Sequence, residues 1–151
     1  MKIISGGQTG ADRGALDAAI ESGVAHGGWC PSGRRAEDGR IPDRYDLTET
    51  DSTEYPVRTE RNVTDSDATL ILCRGRPSGG TELTVRLAER HARPCLISNP
   101  DQPSAVAKVR SWLSRQGVEV LNVAGPRESQ CPGIADSVKK FVSAVIASPV
   151  A

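Results

Sequence analysis

The 151-residue chain carries nineteen Lys and Arg against nineteen Asp and Glu, so its formal net charge at neutral pH is zero, and 3% of it is aromatic. That balance excludes a bulk electrostatic attraction to nucleic acid or to an acidic membrane surface, and so few rings weigh against stacking along single strands. No apolar run approaches the length of a signal peptide or a membrane span, which predicts a cytoplasmic protein with no nucleic-acid and no membrane partner.

The length fits one domain over residues 1–151. Residues 2–5, KIIS, read as a first strand. Residues 11–22 read as a helix, with Ala15, Leu16, Ala19 and Ile20 at helical spacing and Gly23 where a helix ends. A second strand is predicted over 24–30, up to Trp29, Cys30 and Pro31. The next stretch, 31–57, is polar and rich in Gly, Pro, Asp and Arg, and connections of that length in compact domains are usually functional. A short helix is expected over 58–65. ATLILC at 68–73 reads as a central strand, because its apolar run barely alternates.

A glycine loop, GRPSGGTE, then leads into a helix over 81–92 with Leu83, Leu87 and Ala88 on one face. A strand at 94–98 follows, then a helix at 104–116 that carries Val106, Val109 and Leu113 and stops at Gly117. The fifth strand is placed at 118–123. The loop AGPRESQCPG separates it from a last helix with Val138, Phe141, Val142 and Val145 as its apolar stripe. Strand–helix alternation of this kind predicts an α/β protein, a three-layer Rossmann-like sandwich whose mainly parallel sheet has about five strands. Ligands of such sheets bind outside the carboxyl ends of the strands, where strand order reverses. The loops after the first, second, third and fifth predicted strands are expected to gather there.

Those loops carry the chemistry. Gly6, Gly7 and Gly10 let the backbone turn and approach a ligand, Gln8 and Thr9 add hydrogen bonds, and the following helix aims its free N–H groups at the same point. This is neither a P-loop, which needs a lysine, nor the G-x-G-x-x-G dinucleotide fingerprint. Where that fingerprint expects a ribose-binding acid, the chain has Arg34 and Arg35, which suit a phosphate or another anion. PSGGTE repeats the logic, with Gly79 and Gly80 opening the turn and Ser78 or Thr81 as helix cap and anion ligand. Asp12 is read either as a ligand contact or as a carboxylate complementing the helix dipole. Trp29 is read as a stacking platform or as packing. Cys30, Cys73, Cys95 and Cys131 are widely spaced with no C-x-x-C pair, so neither a metal site nor a disulfide framework is expected. His26 and His91 fall in no catalytic pattern.

GGQTGADRGALDAA, GGWCPSGRRAEDGRIP, YPVRTERNVTDSDATLIL, SGGTELT and LNVAGPRES occur in that order over nearly the whole chain. Together they resemble the molybdenum carrier family, itself similar to the lysine-decarboxylase-like or LOG proteins. The resemblance implies a Rossmann-like homo-oligomer, a dimer or tetramer. It would bind molybdenum cofactor (molybdopterin) as cargo, store it, and hand it to molybdoenzymes. A carrier of this kind uses no catalytic residue. Its cargo would be held by Gly6, Gly7, Gln8, Thr9, Gly10 and Asp12, by Ser78, Gly79, Gly80 and Thr81, and by Arg34 and Arg35. Arg127 and Ser129 would close the site from the fifth-strand loop.

The LOG relatives imply a rival, a phosphoribohydrolase acting on nucleoside 5′-monophosphates through Pro-Gly-Gly-x-Gly-Thr-x-x-Glu. With Gly80 and Thr81 laid on that motif's Gly-Thr, its glutamate falls on Thr84. Glu82 is two residues away, a turn of roughly 200° on a helix. A nucleotide- or ADP-ribose-sensing module is the third reading.

Overall fold

The computed structural model describes residues 1–147. Its elements run β1 (Lys2–Ile4), α1 (Ala11–Glu21), β2 (Ala25–Gly27), β3 (Trp29–Cys30), β4 (Arg35–Ala36), β5 (Gly39–Arg40), β6 (Thr48–Glu49), α2 (Tyr55–Thr64), β7 (Ala68–Leu72), α3 (Gly79–Arg90), β8 (Cys95–Ser98), α4 (Ala105–Gln116), β9 (Val120–Ala124) and α5 (Ile134–Ile146). Five strands form one parallel sheet in the order β2-β1-β9-β7-β8. Ile3 stands opposite Leu121, and Leu70 opposite Val123. The last strand in the chain therefore lies at the centre of the sheet, and its Leu121 and Val123 are fully buried.

Helices cover both faces, as strands apolar on both sides require. On one face Ile3, Leu70, Leu72, Leu121 and Val123 pack with residues of α1, α4 and α5, among them Ala15, Val109, Leu113 and Phe141. On the other, Val63 of α2 meets Leu87 and Ala88 of α3, with Leu83 and Cys95 against them. The apolar stripe of α5 is buried in full, Val138, Phe141, Val142 and Val145 alike. Each such side chain contributes about 1.5–3 kcal/mol through removal from water. This is the α/β three-layer sandwich that the alternation predicts.

The predicted strand at 24–30 is in fact two. Gly28 has φ 125°, and a Cβ there would lie 2.3 Å from the Ser5 carbonyl oxygen. The backbone swings away at that point, so β2 stays in the main sheet while β3 pairs with β6. α2 starts at Tyr55, three residues before its predicted start, because Pro56 fits the first turn, where its fixed φ helps and its missing N–H costs nothing. α3 likewise begins at Gly79, and β9 runs over Val120–Ala124. The long polar stretch is built and not featureless. It holds the β4–β5 hairpin and a small core in which Leu16 meets Cys30, Ala36, Ile41 and Tyr45. Among the described residues no helix is long and apolar enough to cross a membrane, the four cysteines are free, and no three His, Cys, Asp or Glu side chains group to hold a metal ion.

Candidate site at the carboxyl edge of the sheet

A cavity of about 310 Å³ opens at the carboxyl ends of β1, β7 and β9, near the lower end of the size range of small-ligand sites. The chain runs from β1 out to β2 and then crosses to β7 on the far side, so the cavity lies at the reversal of strand order. Gln8 and Asp12 line it from the β1–α1 turn, and Tyr55, Arg58 and Thr59 from α2. Gly79, Gly80, Thr81 and Leu83 of α3 form a third wall, and Gly125, Arg127 and Gln130 after β9 a fourth.

The two glycine loops play different parts. Nothing lies within 4 Å of a Cβ built at Gly79 or Gly80, so the α3 N-terminus is open to the cavity. No side chain caps α3, Ser78 included; the Ser78 carbonyl takes the Thr81 N–H at 3.1 Å, which leaves those of Gly79 and Gly80 at the helix end. Ser78 instead lines a smaller adjoining cavity with Arg74, Arg76 and Cys131. The first loop is filled by protein. Gly6 lies under the Arg58 guanidinium, Gly7 against Leu47 and Ile41, and Gly10 against the backbone of 126–128. Its three glycines make room for other parts of the chain.

Gln8 is 6% exposed and supplies the cavity's clearest signal. Its Oε1 accepts the N–H groups of Thr9 and Glu37 at 3.1 and 2.9 Å, which fixes the amide orientation. Nε2 is then a buried donor with no acceptor among the described residues. Arg58 repeats the pattern. Its Nε is buried and unpartnered, and Nη1 donates to the Tyr55 carbonyl at 3.4 Å and to the Thr59 hydroxyl. A buried donor left unpaired costs about 1–3 kcal/mol, and unpaired donors in native proteins commonly mark function or bound water.

Asp12, also 6% exposed, lies between them. Burial pushes its carboxyl above the ordinary carboxylate value, opposed by the Arg58 charge and the Gln8 N–H, which donates to Oδ2 at 3.1 Å. Burial pulls Arg58 below the ordinary arginine value, and Asp12 opposes that in turn. Above them the Tyr55 ring is met by three guanidiniums, Arg35 at 4.7 Å, Arg58 at 5.3 Å and Arg127 at 5.4 Å from its centroid. Tyr55 and Arg58 are absent from the residues picked out by sequence. Pro56, a helix-start signal, was the clue that α2 begins early enough to bring both to the cavity.

The remaining expected residues are engaged elsewhere. Arg34 is 8% exposed and sits at φ 54°. Its Nε donates to the Ile41 carbonyl at 3.1 Å, and Nη2 to those of Pro42 and Tyr45, each at 2.8 Å. It clips the 41–45 loop and does not line the cavity. Arg35 donates to the Thr53 carbonyl at 3.0 Å and reaches the rim through Tyr55. The Thr9 and Ser129 hydroxyls donate to Glu37. Trp29 donates its indole N–H to Asp65 at 2.6 Å and stacks under Arg61. On α3, Thr84 is buried and donates to the Gly80 carbonyl at 2.9 Å, while Glu82 points to solvent in an ion pair with Arg86 at 2.5 Å. The position of the LOG glutamate is thus held by a hydroxyl turned back on its own helix.

Residues 3–146 match the model of the circularly permutated YpsA SLOG family. A crystal structure titled "Putative molybdenum carrier protein", from Syntrophus aciditrophicus SB, superposes with a TM-score of 0.93 at 45% identity, over 97% of this chain and 94% of that one. No curated protein matches.

Proposed function

The chain belongs to the circularly permutated YpsA SLOG family, and on that premise we propose that it binds and carries molybdenum cofactor, a phosphorylated pterin, in the cavity between α1, α2 and α3. The observation that carries this reading is the pair of buried donors without acceptors, Gln8 Nε2 and Arg58 Nε, beside an open, uncapped α3 N-terminus. A phosphate at the α3 N-terminus would meet the N–H groups of Gly79 and Gly80, the Thr81 hydroxyl and the positive end of the helix dipole, the Thr81 N–H being already given to the Ser78 carbonyl at 3.1 Å. Arg127, and Arg35 at the rim, would balance its charge. Tyr55, its ring met by Arg35, Arg58 and Arg127, would hold those guanidiniums together beside the cargo. The solved relative's title, molybdenum carrier, supports the choice of cargo. The recipients on this reading are molybdoenzymes.

The site in this proposal keeps Gln8, Asp12, Gly79, Gly80, Thr81 and Arg127 of those expected from sequence, while Gly6, Gly7, Gly10, Thr9, Ser78 and Ser129 serve elsewhere. Arg58 and Tyr55 enter it, and Arg34 leaves it for the 41–45 loop. The test is retention. Purified protein is incubated with molybdenum cofactor, desalted, and the released pterin measured by fluorescence. Wild type is expected to retain pterin, and an Arg58→Met, Arg127→Met double variant to lose most of it. Failure of wild type to retain pterin, equal retention by the double variant, or release of free base from nucleoside monophosphates would each overturn the carrier reading.

A further inference from the structure

Asp12 offsets the buried Arg58 charge, yet for a cavity built only for a phosphate it is an unfavourable wall. Its carboxylate would repel the anion that Arg58, Arg127 and the α3 N-terminus attract, and burying it costs free energy that a dipole-complementing acid on the surface of α1 would not incur. Asp12 does shape the β1–α1 turn, since Oδ2 accepts the Gln8 N–H at 3.1 Å. That task leaves most of its capacity free. An ionised carboxylate has about four acceptor positions; the Gln8 N–H uses one, and the Ser5 hydroxyl, which donates to the Val123 carbonyl at 2.7 Å, lies close enough to favour the charged form of Asp12 as well. The cavity is therefore two-signed. Its cationic side is Arg58, Arg127 and the helix terminus, and its acceptor side is Asp12.

The complement of such a wall is a ligand with an anionic end and, apart from it, an edge of paired N–H donors. We infer that Asp12 recognises the 2-amino-4-oxopyrimidine edge of a pterin-type ring, its carboxylate accepting the ring N–H and the exocyclic amino group side by side, with the Arg58 guanidinium as donor to the adjacent ring oxygen. Two parallel N–H groups on a planar amidine-like edge match a carboxylate as a guanidinium does. The inference rests on the cargo reading above and names the residue that selects the ring.

Two fluorescent probes, 6-carboxypterin and 6-carboxylumazine, isolate this contact. They share the bicyclic ring and the anionic group and differ at position 2, where lumazine has an oxygen in place of the amino group. Wild-type protein is expected to bind the pterin about tenfold or more tightly than the lumazine, the worth of one charge-assisted hydrogen bond. Asp12→Asn keeps the size and an acceptor for the Gln8 N–H, so the fold should persist. It is expected to bring the two probes within about twofold of each other, chiefly by weakening the pterin, and an unchanged circular dichroism spectrum and thermal melt report the intact fold. Equal affinities in wild type, failure of the pterin probe to bind, or a preference that survives in Asp12→Asn would overturn the inference. Cofactor retention by a wild type without the 2-amino preference sinks this inference alone. A probe preference without cofactor retention sinks the carrier reading alone.

Discussion

Glu37 and Ser129, 92 residues apart, are joined twice: one carboxylate oxygen accepts the Ser129 N–H at 3.2 Å and the other its hydroxyl at 2.5 Å. The Thr9 hydroxyl donates to the same carboxylate, and Arg127 comes within 3.8 Å. Next to it Asp38 is held by both Nη atoms of Arg13, at 2.6 and 2.8 Å. The tip of the β4–β5 hairpin is thereby fastened across the first glycine loop and the loop after β9. Thr9 and Ser129, expected from sequence to hold a ligand, hold a carboxylate of the chain itself.

A pH dependence follows. The Ser129 hydroxyl and then Thr9 hold the Glu37 carboxyl below the usual glutamate value. An acid depressed by folding contributes stability that is fully present above its unfolded pKa, about 4.3, and is lost as pH falls through the lower folded value. Amide protection of residues 35–40 by hydrogen exchange should accordingly be full at neutral pH and fall in acid, below about pH 4. Glu37→Gln should show the loosened hairpin at neutral pH already. Equal wild-type protection factors at pH 7 and pH 3 would contradict the clasp.

Arg34 and Arg127 should separate structure from binding. Arg34→Met removes the donors of three carbonyls and should cost at least about 1.5–3 kcal/mol, the worth of one hydrogen bond to a charged group. Arg127→Met gives up only a 3.8 Å approach to Glu37 and the edge of the Tyr55 cluster, and should stay within about 1 kcal/mol of wild type while weakening pterin retention. Urea denaturation reads the first and desalting the second. A destabilised Arg127→Met with an unaffected Arg34→Met would reverse the assignment.

Phe141 tests the core under the site. It packs in the face shared by α1, α4 and α5, and its replacement by Ala should cost about 3–5 kcal/mol in urea denaturation. A loss under 1 kcal/mol would mean that α5 is not fixed as described.

Much of this was legible in the chain. Five strands, the helices α1, α3 and α4 to within two residues and the stripe on α5 follow from apolar spacing, and spacing is a local property. Strand order is not local. Nothing in VEVLNV says that it enters the sheet between KII and ATLIL, because that choice depends on which faces α1 and α5 bury against each other. Side-chain direction was hidden in the same way. Arg34 and Arg35 are adjacent and identical in type, yet a residue at φ 54° turns one into the loop and leaves the other at the rim. Arg58 falls inside the helix predicted over 58–65, but its place over Gly6 is set by how α2 docks on the sheet, which no local pattern shows.

The two glycine loops look alike in sequence, and one pair of substitutions should set them apart. Gly80 is in the first turn of α3 with open space around its missing Cβ. Ala is compatible there and should leave the fold unharmed or stabilise it by about 0.4–1 kcal/mol, since it narrows the unfolded ensemble. Its methyl group would nonetheless stand on a wall of the cavity, where a phosphate must approach the backbone, so pterin retention should fall. Gly10 has φ 82°, and its Cβ would lie 2.4 Å from the Pro126 carbonyl oxygen and 2.6 Å from the Glu128 nitrogen. Gly10→Ala combines a disfavoured backbone conformation with a clash against main chain that has nowhere to go. It should cost more than about 1 kcal/mol and loosen the loop after β9. Thermal melts and desalting on the two variants decide the matter. A Gly80→Ala protein that retains pterin as wild type does would move the phosphate away from α3. A Gly10→Ala protein as stable as wild type would mean that the first loop is not packed against residues 126–128.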